Sequence, residues 1–395
     1  MRKFLRRIKN LFLVLLFLAI VLPLVYIIWH FYNGGTIREL FDDAKQAQSQ
    51  AEALYERLDE IRENPDSILN EIKETVNTGI NRRVVTEGPV TVCFAPTSRT
   101  SPWGIDDALV SLIQNATQSI DAAFYELQLP SVADALIARK EAGVAVRIVS
   151  DSDYQNRVGV QRCMAAGIEV VFDERNAFMH NKFCVIDNRV VWTGSTNITE
   201  NGMYRNNNNA LQIEIPEVAK AYSGEFEEMF LHGQFGGASS TDNTPPALAT
   251  DEMGLEIYFA PEDNVGDEII AELEQATTSI DFMAFAFTSR PIAEAMAKRI
   301  KSGVTVRGVF ESRNASNQYS RDEWLEEKGA KVYLDTNTYT MHHKCIIIDN
   351  KTVITGSYNF SASADTKNDE NVIILHSDVL AAVYTDEFEG LIAAE

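Results

Sequence analysis

From about residue 88 onward the chain repeats itself at long range. VCFAP (92–96) is answered by IYFAP (257–261), and ATQSIDAAFYE (116–126) by ATTSIDFMAFA (276–286). AGVAVRIVSD (142–151) is answered by SGVTVRGVFE (302–311), and MHNKFCVID (179–187) by MHHKCIIID (341–349). Paired landmarks lie 165, 160, 160 and 162 residues apart. So long a period excludes a short solenoid repeat and makes each copy a domain-sized lobe. In each copy short apolar strands alternate with amphipathic helical stretches, which argues an α/β layered domain. The spacing predicts lobes over 88–235 and 253–395, joined by a Gly-, Ser-, Thr- and Pro-rich linker at 236–252.

The segment ahead of the repeat has a different character. MRKFLRRIKN carries five basic residues and no acidic one, and residues 11–29 follow without a charge. That run has the length a transmembrane helix needs, and basic residues before it favour a cytoplasmic N-terminus with the lobes across the membrane. The expectation is a basic cytoplasmic segment (1–10), an anchor (11–29) and an extracytoplasmic body; a cleaved signal peptide is the alternative. Over 36–80 the pattern is helical, with apolar residues alternating three and four apart from Ile37 to Ile61. This reads either as a stalk that pairs chains through residues 36–61 or as one amphipathic helix packed on the body.

All 57 acidic residues lie beyond residue 30, against 30 of the 35 basic ones. Such a body repels polyanions at long range, so a phosphate-bearing substrate must meet local positive charge. The four cysteines form no C-x-x-C pair, which makes buried thiols the expectation and zinc ligation improbable.

The histidine runs carry the chemistry. Both copies read H-x-K-x-x-x-x-D followed by G-S-x-N. The first set is His180, Lys182, Asp187, Gly194, Ser195 and Asn197; the second is His342, Lys344, Asp349, Gly356, Ser357 and Asn359. On a strand, side chains two apart share a face, so each histidine should point with its lysine. The aspartates, seven residues on, should face away and shape a hairpin turn at the following Asp-Asn. Two sets together offer paired ammonium and amide groups for the oxygens of a phosphodiester. They also offer two imidazoles for a double displacement, with no metal or other cofactor required.

A doubled H-x-K-x-x-x-x-D with trailing G-S-x-N resembles the phospholipase D superfamily, over roughly residues 88–390. The resemblance implies two similar α/β/α lobes about a pseudo-two-fold axis, an active site between them and a phosphohistidine intermediate. It points to His180 as nucleophile and His342 as acid/base, although the residues themselves leave that assignment open. It also implies a carboxylate 28 residues after each motif histidine to hold the imidazole. That position is Glu370 in the second copy but Asn208 in the first, which makes His342 the more basic ring. Asp151, Glu311 and Glu126 end strands and are weaker candidates, equally readable as helix caps. Substrates implied are phospholipids, hydrolysed or transferred, with nucleic acid as the competing reading and an inactive scaffold as the non-enzymatic one. The anchor and the acidic body favour lipid.

Overall fold

The computed structural model describes residues 84–96, 104–239, 244–245, 247–250 and 253–393. All of them belong to one compact unit, Asn81–Glu395. The basic segment, the anchor and the stalk read at 1–10, 11–29 and 36–80 lie outside the described residues.

The first lobe runs β1 (Val84–Glu87), β2 (Val90–Ala95), α1 (Ile105–Asn115), β3 (Ser119–Phe124), α2 (Pro130–Glu141) and β4 (Ala145–Ser150). It continues through α3 (Val158–Ala165), β5 (Glu169–Phe172), β6 (Lys182–Ile186), β7 (Val190–Gly194), α4 (Glu200–Tyr204), β8 (Asn208–Ile213) and α5 (Pro216–His232). The second runs β9 (Leu248–Ala249), β10 (Gly254–Ala260), α6 (Val265–Gln275), β11 (Ser279–Ala284), α7 (Arg290–Lys301) and β12 (Thr305–Phe310). After it come α8 (Ser312–Ala315), α9 (Asp322–Glu327), β13 (Lys331–Leu334), β14 (Lys344–Ile348) and β15 (Thr352–Gly356). The lobe ends with α10 (Ala362–Thr366), β16 (Glu370–His376) and α11 (Asp378–Ile392). The first sheet therefore begins ahead of residue 88, and β9 falls within the stretch read as linker.

Each lobe contains an eight-stranded mixed sheet. The first is ordered β1-β2-β8-β7-β6-β3-β4-β5, and the second repeats that order as β9-β10-β16-β15-β14-β11-β12-β13. The helix-linked strands β3, β4 and β5 run parallel, as do β11, β12 and β13; the remaining pairings are antiparallel. Even the cross-strand ion pairs recur. Arg147 clasps Asp121 through two bonds of 2.7 and 2.8 Å, and Arg307 clasps Asp281 through two of 2.8 Å.

Both faces of each sheet are covered, which explains strands that read as unbroken apolar runs. In β6, Phe183 and Val185 enter a central core while Cys184 and Ile186 enter an outer one. The central core joins the lobes: α5 supplies Val218, Tyr222 and Phe226, and α11 supplies Leu380, Tyr384 and Phe388. Fully burying side chains of this size is worth about 1.5–3 kcal/mol apiece. The separate outer cores hold α1 and α2 in one lobe and α6 and α7 in the other. All four cysteines are buried and unpaired.

Polar groups inside the interface match across the lobes. Thr193 Oγ1 and Tyr222 OH donate to Asn371 Oδ1 at 2.9 and 3.0 Å. Asn209 Nδ2 donates to Thr355 Oγ1 and Tyr384 OH at 2.8 and 2.7 Å. Among the described residues no helix is long and apolar enough to cross a membrane.

Candidate active site

The segment before β6 leaves its own sheet and binds the other lobe. His180 N–H donates to Asp369 O, and Asp369 N–H to Phe178 O, both at 2.9 Å. The segment before β14 reciprocates: His342 N–H donates to Asn207 O, and Asn207 N–H to Thr340 O, again at 2.9 Å. Of each motif pair only the lysine lies within the regular strand. The lysine ammonium folds back on the preceding histidine, Lys182 Nζ donating to His180 O at 2.6 Å and Lys344 Nζ to His342 O at 2.8 Å.

This exchange decides which side chain holds which imidazole. His180 Nδ1 lies 2.7 Å from Glu370 Oε2, a carboxylate of the opposite lobe. His342 Nδ1 lies 2.9 Å from Asn208 Oδ1 and 3.1 Å from Ser195 O, again of the opposite lobe. The expectation that each copy serves its own histidine is corrected: β8 and β16 begin at the interface, where their first side chains face the other lobe's histidine. The carboxylate therefore supports His180, and His342 is not the more basic ring.

The holders are themselves held. Ser357 Oγ donates to Glu370 Oε2 at 2.7 Å, and Ser195 Oγ to Asn208 Oδ1 at 2.8 Å. Each serine hydroxyl in turn accepts a backbone N–H, from Asn371 or Asn209, at 3.0 Å. Asn208 Nδ2 donates to Gly202 O at 3.0 Å, which fixes its amide with Oδ1 toward the ring. Glycine must precede these serines. Gly194 and Gly356 have φ of 141° and 149°, and a Cβ would sit 2.4 and 2.2 Å from Asn209 O and Asn371 O.

Aromatic rings line the other side. Tyr125 lies 4.6 Å from the His180 ring and Phe285 4.6 Å from the His342 ring. The same rings carry the lysines, Lys182 Nζ at 4.6 Å and Lys344 Nζ at 4.8 Å. Sequence reading missed Tyr125 and Phe285, although the aligned YE of the first copy and FA of the second marked an aromatic at the same place.

Burial sets the electrostatics. Burial lowers His180 to about 4, with Glu370 opposing the shift and Lys182 adding to it. Burial also drives His342 well below the usual imidazole range, and Lys344, Lys182 and His180 push it further. Lys182 falls to about 7, and Lys344 is held well below an ordinary lysine, first by burial and then by Lys182. Burial works to raise Glu370, but His180 and Lys182 outweigh it and hold the carboxyl low. Burial thus works against the charged forms of both rings and both amines, and an arriving anion would favour those forms.

Other motif residues sit further out. Asp187 accepts backbone N–H bonds from Thr117, Gln118 and Ser119 at 2.7–3.1 Å, and Asp349 accepts the matching set from residues 277–279 at 2.7–2.9 Å. Both lie in tight turns with positive φ at Asp187 and Asn188, and at Asp349 and Asn350. Asn197 Oδ1 and Asn359 Oδ1 are buried without a hydrogen-bond partner. Asp151 accepts from Asp153 N–H and from Met179 N–H at 2.9 and 3.1 Å, anchoring the turn into the His180 segment. Glu311 caps α8 through Asn314 N–H at 2.8 Å, and Glu126 pairs with Arg157 at 2.7 Å. Two clusters among the described residues have ligand spacing for a cation, Glu256–Glu272–His376 and Glu225–Glu228–Glu262; neither includes a motif histidine. A cavity of about 410 Å³ opens on the outer face of the first lobe beside Cys93, Leu112 and Trp192, and it too holds no motif residue.

Comparison with known proteins agrees with this architecture. The family described as cardiolipin synthase, PLD-like domain, matches twice, over residues 109–230 and 269–392. The chain belongs to the phospholipase D superfamily and is a phosphodiesterase of that type. A mitochondrial cardiolipin hydrolase of Xenopus tropicalis is 33% identical over 144 residues, 36% of this chain and 68% of that protein. A phospholipase D of Rickettsia prowazekii is 36% identical over 126 residues, 32% of this chain and 62% of that protein. A phosphatidylserine synthase of Haemophilus influenzae shares the fold across both lobes, with a TM-score of 0.62 and 13% identity over 76% of this chain and 85% of that one.

Proposed function

We propose that the protein cleaves phospholipid phosphodiesters through a phosphohistidine intermediate at one site built by both lobes. The observation that carries this is the crossed pair of imidazoles, each held at Nδ1 by the opposite lobe and each beside a buried lysine. With Nδ1 engaged, each ring presents Nε2 to the crevice. One attacks phosphorus while the other protonates the leaving alkoxide and then activates water or an alcohol. Lys182 and Lys344 neutralise the nonbridging oxygens, the work a metal does elsewhere, and regain full charge as the phosphate enters. The Nδ2 groups of Asn197 and Asn359 are matched donors for the same oxygens.

Lipid is the favoured substrate class. The relatives named above are a cardiolipin hydrolase and a phospholipase D, and the body is too acidic to gather a polyanion. The uncharged run at 11–29 would tether the lobes to a bilayer with the N-terminus cytoplasmic and the site outside the cytoplasm; residues 36–61 would pair chains. The test is headgroup release from vesicles of phosphatidylcholine, phosphatidylglycerol and cardiolipin, with chelator present, beside a single-stranded DNA sample. Lipid cleavage with intact DNA supports the reading; DNA cleavage with intact lipid replaces it with a tethered nuclease.

A further inference from the structure

Away from the crevice, three side chains from three elements of the second lobe converge on one spot. We propose that Glu256 of β10, Glu272 of α6 and His376 of β16 bind a divalent transition-metal ion of the zinc class, with no cysteine involved. One ligand atom from each lies within 4.8 Å of the other two, and His376 Nε2 is 2.8 Å from Glu256 Oε1. Strand register brings the first pair together. Glu256 stands opposite Ile374, so it shares a face with His376 two residues on. His376 itself stands opposite Gly254, where a Cβ would come within 3.2 Å of the imidazole, so the glycine lets the ring lie close over β10. His376 is the last residue of β16, six beyond Glu370, which puts it about 20 Å along the strand from the catalytic end.

Each ligand has an outer partner. Tyr258 OH donates to Glu256 Oε2, and Gln275 Nε2 donates to Glu272 Oε1 at 3.0 Å. Thr352 Oγ1 lies 3.1 Å from His376 Nδ1 and can accept its N–H, which leaves the lone pair on Nε2 beside the carboxylates. Such outer partners orient metal ligands and fix the histidine tautomer. Two carboxylates and a neutral imidazole cancel a divalent charge, and Glu268, one turn before Glu272, adds negative charge beside Glu272 and Tyr258. One nitrogen with two oxygens suits zinc better than calcium or magnesium, which take oxygen throughout. Three protein ligands leave a position for water, and all three side chains are partly exposed, so an ion has a way in.

The first lobe shows that the shared fold does not require these groups. At the three ligand positions it has Thr91, Leu112 and Glu214, and Cys93 stands where Tyr258 supports Glu256. Thr91, Cys93 and Leu112 line the cavity of about 410 Å³ described above. What is a cavity in one copy is filled in the other by converging ligands and their support. An ion there would tie β10, β16 and α6 together and stabilise the second lobe without entering the chemistry of the crevice.

The test titrates chelator-stripped full-length protein with zinc chloride, followed by calorimetry and thermal unfolding. The parent should bind about one zinc per chain at this site and gain about 3–5 °C in melting temperature at zinc a hundredfold above Kd. Calcium chloride at the same concentration should give no gain. His376→Ala should lose this binding. Glu272→Gln and Tyr258→Phe, which keep the side-chain shapes, should each weaken it by about tenfold or more. No zinc bound by the parent, an affinity unchanged in any of the three variants, or a preference for calcium overturns the proposal. Zinc held instead at the motif histidines would persist in His376→Ala and overturns it equally.

Discussion

Glu370 of the second lobe takes a hydrogen bond from His180 of the first at 2.7 Å, while Asn208 of the first lobe holds His342 of the second at 2.9 Å. The two lobes share a topology, yet neither completes a histidine pair alone. Glu370→Gln keeps the shape of the holder and removes its charge. It should lower kcat by about 10²-fold or more, within the range for disabling an acid/base group, with little change in melting temperature. Steady-state kinetics beside thermal unfolding checks this; an unchanged kcat contradicts the role given to the carboxylate.

Buried amides fasten the lobes. Asn371→Ala would leave the Thr193 and Tyr222 hydroxyls and Asn181 Oδ1 without their partner. Leaving buried groups unpaired costs about 1–3 kcal/mol each, so a loss of roughly 3 kcal/mol in urea unfolding is expected.

Asp349 supports stability more than chemistry. Burial works to raise it, but the hydroxyl and N–H donors of residues 277–279 outweigh that and hold its carboxyl well below the usual range. A carboxyl lowered on folding contributes fully above its unfolded value of about 3.9, and that contribution fades as pH falls toward the folded value. Asp349→Asn should therefore destabilise the protein at pH 7 by about 1.5–3 kcal/mol, the range for bonds to a charged group, and flatten its loss of stability in acid. Urea midpoints at pH 7 and at a pH below about 3.9 measure both effects. The same substitution at Asp187, whose carboxyl is also lowered, should behave alike.

Lys344 trades stability for function. Burial and then the neighbouring Lys182 depress it, so between its folded value and about 10.4 the unfolded chain binds more protons. Stability should accordingly rise with pH through that window. Lys344→Met should remove the rise, raise the melting temperature at pH 7 and lower activity by about 10²-fold or more through lost charge at the phosphate. A variant both less stable and equally active contradicts this balance.

The duplication, the strand–helix alternation and the paired His-x-Lys runs are local patterns, so the sequence displays them directly. The crossing is not local. His180 and Glu370 are 190 residues apart, and nothing in either copy announces that β8 and β16 begin where the lobes touch. Alignment put Glu370 at the right distance from a histidine, but from the wrong one. The aromatic supports Tyr125 and Phe285 were legible in the aligned blocks yet look like ordinary strand residues until the lysines fold onto them. Asp187 and Asp349 were readable because an Asp-Asn pair between two apolar runs makes a tight turn by local backbone preference.

One measurement tests the shared site most directly: turnover of His180→Ala, of His342→Ala and of their equimolar mixture on a phospholipid with a natural headgroup. If a single chain builds one site from both imidazoles, each variant should fold normally and lose at least about a thousandfold in kcat, and mixing should restore nothing. Near-normal turnover by either variant would contradict the two-imidazole mechanism, and recovery on mixing would contradict a site completed within one chain.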